Sequence, residues 1–149
     1  MNSSIMIRNA DGYFFAGKAL FETRKNAVNF FAYYISAFGM NMAFACELYL
    51  KYLYQLENHG KNKRGHKLKT DLFDNLAEST RNLVKKDYQK WTSILSFDDC
   101  IKSHNETFSH FRYMHECNNL SIEPQSLYNL AVALKNTCTL RMEEINNGD

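Results

Sequence analysis

The chain has 149 residues, with 18 Lys and Arg against 16 Asp and Glu, a formal net charge of +2, 45% hydrophobic and 23% charged residues. That balance excludes a disordered chain and predicts one domain over 1–149, with a core from about 9 to 146 that is large enough to fold without disulfides or metal. One proline and six glycines favour long helices over many turns, and eleven Phe with nine Tyr predict an aromatic core.

The positive charge is too mild to point to nucleic acid by itself. Cys46, Cys100, Cys117 and Cys138 form no CxxC pair and read as buried, reduced thiols of a cytoplasmic protein. The opening MNSSIMIRNA has no long apolar core, so it does not read as a signal peptide. Asn26 to Cys46 carries no formal charge, but Asn26, Asn29, Ser36, Gly39 and Asn41 interrupt it and Glu47 and Lys51 follow. It reads as part of a buried helix pair, not a membrane span.

In chain order, a first helix is expected from a cap at Asn9–Asp11. Its inner face is Phe14, Gly17, Phe21, Arg24, Val28, Phe31, Ile35 and Phe38, and Gly39 is its stop. Asn41 to Glu57 predicts a second helix, apolar nearly all round and hence central. A glycine-flanked basic loop, Gly60 to Gly65, follows. Lys67 to Glu78 predicts a third helix with Leu68, Leu72, Phe73 and Leu76 inward. Ser79 or Thr80 caps a fourth, with the stripe Val84, Tyr88, Trp91 and Leu95. Ser96, with Asp99 three residues on, caps a fifth helix from Phe97 to about Cys117, striped by Phe97, Ile101, His104, Phe108, Phe111 and His115. Ser121 to Pro124 opens the last helix, with Leu127, Ala131, Leu134, Cys138 and Met142 inward. No alternating run predicts a sheet. The expected fold is an all-α, up-and-down bundle of about five to six helices.

Several residues on these elements carry chemistry. Glu47 is a carboxylate on a helix buried on several sides, which costs free energy unless it is paired. Lys51, one turn on, and Arg112, across the bundle, are its two candidate partners. Arg112 stands beside Phe108 and Phe111, with Glu116 at i+4, and is either an anion ligand or a structural bridge. His115 lies one turn from Arg112. Together they have the chemistry of RNA-backbone cleavage, the arginine for phosphate charge and the histidine for proton transfer; the plainer reading is a hydrogen-bonded core histidine. His104 and His115 stand too far apart along the axis to share a metal, His110 lies on another face, and no HExxH or paired Cys/His spacing exists. Neither a metal nor a cofactor is expected. His66 reads as a cap or cross-helix hydrogen-bonder. Lys61, Lys63, Arg64 and Lys67 are candidate phosphate ligands near a helix start, or a solvated loop. No P-loop, Rossmann glycine pattern or GxSxG is present.

Three of these stretches in order resemble the HEPN family (higher eukaryotes and prokaryotes nucleotide-binding domains). Phe44-Ala45-Cys46-Glu47-Leu48-Tyr49-Leu50-Lys51 is similar to the family's helix with a buried acid followed by lysine. Gly65-His66-Lys67-Leu68 with Leu72, Phe73 and Leu76 is similar to its next helix, and Phe108-Ser109-His110-Phe111-Arg112-Tyr113 with Glu116 to its late Arg-Tyr helix. The resemblance covers about 44–116. It implies a helical bundle that commonly forms a homodimer. It also implies a ligand seam of Glu47, Lys51, His66, Arg112, Tyr113 and Glu116, and places the chain among prokaryotic defence or toxin–antitoxin proteins. Catalytic members carry histidine four to six residues after arginine. Here His115 follows Arg112 with two residues between, so the arginine carries over and the catalytic histidine does not. The expected function is a module binding RNA, nucleotide or a protein partner, such as a cognate antitoxin or nucleotidyltransferase. The alternatives are a metal-independent ribonuclease using Arg112 with His110 or His115, and a purely structural dimerisation bundle.

Overall fold

The computed structural model describes residues 3–113 and 122–148. Among them the chain is all-α, six helices packed together without a strand. We label these α1 (Ser3–Glu22), α2 (Ile35–Glu57), α3 (Glu78–Tyr88), α4 (Phe97–Ser103), α5 (Thr107–Arg112) and α6 (Pro124–Asn147).

The α2 helix is central, as its all-round apolar pattern predicts: Met42, Ala43, Ala45, Cys46, Tyr49, Leu50 and Leu53 are all sealed from solvent. One side carries α1, through Phe14 against Tyr49 and Tyr13 against Phe44. Tyr128 of α6 stacks on Phe14 and Phe21 of α1. A polar clamp joins the same three helices: Asp11 Oδ1 accepts from the Tyr49 hydroxyl at 2.7 Å and from Lys135 Nζ at 2.9 Å. Burial and the Asp11 carboxylate both raise the Tyr49 pKa and keep the phenol protonated, the form that donates in this clamp.

The first expected helix is in fact two. The α1 helix begins earlier, at Ser3, and breaks over Thr23–Lys25; the chain then re-enters through Ala27–Asn29 and a wide π turn, Phe30–Tyr34, and runs straight on through Gly39. Side chains explain the break. The Thr23 hydroxyl donates to the Leu20 carbonyl at 2.6 Å and Arg24 Nη1 to the Phe21 carbonyl at 3.1 Å, satisfying the end of α1. Asn26 Oδ1 then accepts from the Asn29 N–H at 3.1 Å, a side-chain cap for the next segment. The phase of the helix changes across this break. Val28 and Phe31, expected inside, are 78% and 58% exposed, while Phe30 is buried. Gly39 is no stop: a methyl there would overlap the Phe111 ring and Ile122. Its role is close helix packing.

The third expected helix is shorter and irregular, a π turn at Leu68–Leu72 and a 3₁₀ turn at Phe73–Asn75. Its four inward residues, Leu68, Leu72, Phe73 and Leu76, are buried as expected. The α3 helix follows Ala77, whose N–H donates to Glu57 at 2.9 Å; Ser79 and Thr80 do not cap it, but accept from Arg141 at 2.9 and 2.8 Å. It ends at Tyr88, so Val84 and Tyr88 are buried while Trp91 is exposed. Ser96 caps α4 as expected, accepting from the Asp99 N–H at 3.1 Å. The expected helix from Phe97 to Cys117 is split at His104–Glu106, and its last four positions lie outside the described residues. The split is used. The Asn105 carbonyl accepts from the Leu68 N–H at 2.9 Å, and Asn105 Oδ1 accepts from the N–H groups of Lys69 and Thr70 at 2.8 and 3.2 Å. One residue thereby caps the start of the 68–72 turn. His104, at the end of α4, is fully buried and donates Nδ1–H to the Cys100 carbonyl at 2.8 Å; burial lowers its pKa and holds it neutral. Pro124 opens α6, capped by Glu123, and Leu127, Ala131, Leu134 and Cys138 line its inner face.

Two glycines test this packing. Gly39→Ala is expected to destabilise by about 1–3 kcal/mol, because Phe111 and Ile122 have to move. Gly12→Ala, on a part of α1 where nothing lies within 4 Å of the new methyl, is expected to stabilise by about 0.5–1 kcal/mol. Urea unfolding of both variants checks the opposite signs.

Candidate functional site

Glu47 sits in the middle of α2 and is 1% exposed. Its Oε1 accepts from Lys51 Nζ at 2.8 Å and lies 2.9 Å from His66 Nδ1. Its Oε2 is buried and has no hydrogen-bond partner among the described residues. Of the two partners open to Glu47 in the sequence, the structure places Lys51 at its side; the cross-helix pairing with Arg112 is not formed. A lysine at i+4 reaches its acid from the same helix without any tertiary rearrangement, which is the geometric reason it wins. The second partner, His66, comes from a loop. Because a carboxylate only accepts, the His66 proton on this side is on Nδ1, and Nε2 faces away from Glu47. The His66 side chain is 66% exposed, so an open imidazole stands on a sealed acid.

The loop that delivers His66 is built for a tight return. His59, Gly60 and Gly65 have φ of 52°, 79° and 108°. At Gly65 a Cβ would come within 2.6 Å of the Asp71 side chain. Asp71 Oδ2 accepts from the N–H groups of His66 and Lys67, each at 3.1 Å. These bonds, that from Lys67 foremost, hold the Asp71 carboxyl below its usual range, helped by the charges of Lys67 and Lys63.

The expected phosphate ligands lie on or beside this loop. Lys61 and Arg64 are exposed. Lys63 lies half-buried, 5.6 Å from the Tyr54 ring. Lys67 Nζ is 3.1 Å from Glu106 Oε1, and Glu106 Oε2 is 3.8 Å from His110 Nε2, which links the loop to α5. Arg112 ends α5, exposed, with its guanidinium 5.7 Å from the ring of Tyr113, itself exposed. Two residues along a helix are about 200° apart in azimuth, so His110 and Arg112 face different directions. Of the other expected site residues, His115 and Glu116 lie outside the described residues.

The structure thus brings Glu47, Lys51 and His66 together, sets Lys67 and His110 around Glu106, and leaves Arg112 and Tyr113 apart from Glu47. Asp71, Asn105 and Glu106 also organise the site, and sequence reasoning missed them. Asp71, five residues after His66, had a faint signal as an acid able to bond backbone amides of a turn. Asn105 and Glu106 were hidden inside what reads as one continuous helix. Among the described residues, no group of three His, Cys, Asp or Glu side chains is placed to hold a metal ion, and no helix is long and apolar enough to cross a membrane. The chain matches no known family model, no curated protein and no solved structure.

Asp71 gives the site a pH signature. A carboxyl whose folded pKa is depressed contributes stability that is present above its unfolded pKa, about 3.9 for Asp, and is lost as pH falls through the folded value. Asp71→Asn is therefore expected to lower the urea midpoint at pH 7, and the gap from wild type is expected to close in acid below the ordinary carboxylate range. Paired unfolding curves across that range check it.

Proposed function

We propose that this chain is a HEPN-like, up-and-down helical bundle that binds RNA or nucleotide through its phosphates, as a non-catalytic module of a prokaryotic defence or toxin–antitoxin system. The observation that carries this reading is the buried Glu47 carboxylate, which fixes Lys51 and an open His66 at the mouth of a basic loop. From Lys51 to Thr70 the chain has six Lys or Arg against a single acid, Glu57, and Glu57 is taken up by the Ala77 N–H. The exposed Lys61 and Arg64 on this loop suit an anion whose charge is spread over several oxygens. The family resemblance supplies the nucleic-acid class.

The ribonuclease alternative draws less support. His110 is drawn toward Glu106 and faces away from Arg112, and the spacing of Arg112 to His115 departs from the catalytic pattern. A fluorescent single-stranded RNA and a nucleoside triphosphate, titrated in chelator at about 50 mM and 200 mM salt, test the proposal. Binding is expected to weaken with salt. Lys63→Glu with Arg64→Glu is expected to weaken it about tenfold or more and to flatten the salt slope by about one for each phosphate left without its cation. No binding of either probe at the lower salt ends this reading, and cleavage of the RNA would favour the nuclease.

A second copy of the chain is the protein partner that a specific observation favours. Val28, Phe31 and Tyr33, the last 75% exposed, stand on one stretch that has no formal charge from Asn26 to Cys46. A two-fold copy meets these same residues, so no like charges are opposed. Light scattering is expected to give a dimer mass that falls to the monomer in Phe31→Asp with Tyr33→Asp. A wild-type chain that stays monomeric at high concentration rules this surface out as a self-interface.

A further inference from the structure

We propose that His66 is a phosphoryl acceptor, its Nε2 taking a phosphoryl group from a small activated donor such as a phosphoramidate or an acyl phosphate. The inference rests on the reading above only in taking this seam to hold a phosphate; the chemistry comes from the Glu47–His66 pair.

Three features of the pair point the same way. The first is access. The His66 side chain is 66% exposed while the Glu47 side chain beneath it is 2% exposed, so the nucleophile is open and its orienter is sealed. The second is the tautomer. Glu47 Oε1 lies 2.9 Å from Nδ1 and holds the proton there, which leaves the Nε2 lone pair pointing to solvent. A base oriented by a third group is the arrangement that activates a nucleophile. The third is charge. As Nε2 bonds to phosphorus the ring becomes cationic, and the carboxylate on Nδ1 stabilises it. Lys51 Nζ, 2.8 Å from the same Oε1, fixes that carboxylate oxygen beside the ring. The backbone under the imidazole is pinned as well, because Asp71 accepts from the His66 and Lys67 N–H groups.

The other described histidines lack this set. His104 is fully buried, and the Nε2 of His110 is turned toward Glu106 at 3.8 Å. His59 is exposed on the same loop and serves as the internal comparison. The step balances without an oxidant or reductant. The Nε2 lone pair attacks phosphorus, the bond from phosphorus to ammonia or to the carboxylate leaving group breaks, and that group departs with its electron pair. Nδ1 keeps its proton throughout.

The test incubates the 149-residue chain with phosphoramidate and follows the label by intact mass, fragment mapping and phosphorus NMR. One acid-labile phosphoryl group is expected, on Nε2 of His66, formed about tenfold faster than on His59 or His110. His66→Gln is expected to abolish it. Glu47→Gln is expected to slow it about tenfold and to give a mixture of Nδ1 and Nε2 products, because the tautomer is no longer held; a purely structural Glu47 leaves the isomer unchanged. Label on His59 or His110 as fast as on His66, or an Nδ1 product on wild-type His66, overturns the proposal. That comparison is made within the wild-type protein, so it stands even where a variant fails to fold. RNA titrations on the same preparation separate the two readings. RNA bound with His66 unlabelled overturns this inference alone, and His66 labelled with no RNA bound overturns the other alone.

Discussion

A helix whose side chains are buried all round its axis has to be covered on every side, and α2 imposes that constraint on this chain. Its neighbours share the covering. The α1 and α6 helices lie along most of its length, and the 68–72 turn and α5 shield what remains. Part of the cover is aromatic: the Tyr128 ring is in contact with those of Phe14 and Phe21, and Phe21 stacks on Phe38 of α2. Ring pairs of this kind add roughly 0.5–1.5 kcal/mol each beyond the area they bury. The same constraint explains Gly39. Where α5 crosses closely enough to lay the Phe111 ring on the α2 backbone, the helix has no room for a Cβ.

Glu47 lies sealed within this covering. A lone carboxylate in so apolar a setting is costly, and the fold meets the cost from one side only, by bringing Lys51 and His66 to a single oxygen. The acid is then fixed and sealed while its partners reach toward water. That asymmetry separates this pair from an ordinary surface ion pair, whose members are both mobile and screened and contribute little. It also explains why the loop from His59 to Lys67 is so constrained. His66 has to return to α2 at one position, and the positive φ angles with the two amides held by Asp71 are what return it.

The helix breaks have a common cause. Asn26 and Asn105 both accept backbone N–H groups through their side chains, one beginning the segment that leads into α2 and the other the 68–72 turn. Neither break contains glycine or proline, the residues that usually mark one. Asparagine competes with the helix for its own hydrogen bonds, and the competition is decided by whether an unsatisfied helix start is near. For Asn26 that start is local, and the sequence TRKN with its capping residue is legible in hindsight. For Asn105 the start belongs to a turn some 35 residues earlier, which no local pattern records.

By itself the sequence determined the class and the central helix. Few breakers and three-and-four apolar spacing dictate helices, and the all-round pattern of 42–56 dictates which one is central; both are local properties, written in periodicity. It also determined that Glu47 needs a partner and offered Lys51 one turn away. Tertiary structure alone decided the rest. The phase shift at Thr23–Asn26 turned Val28 and Phe31 outward, since after a break the azimuth of each later residue depends on the angle at which the chain resumes. His66 was joined to Glu47, and Arg112 was kept from it, by the path of a loop and the shortness of α5. The choice between a residue on the same helix and one across the bundle is a matter of distance in space, and periodicity along the chain carries no information about that distance until the helices are packed.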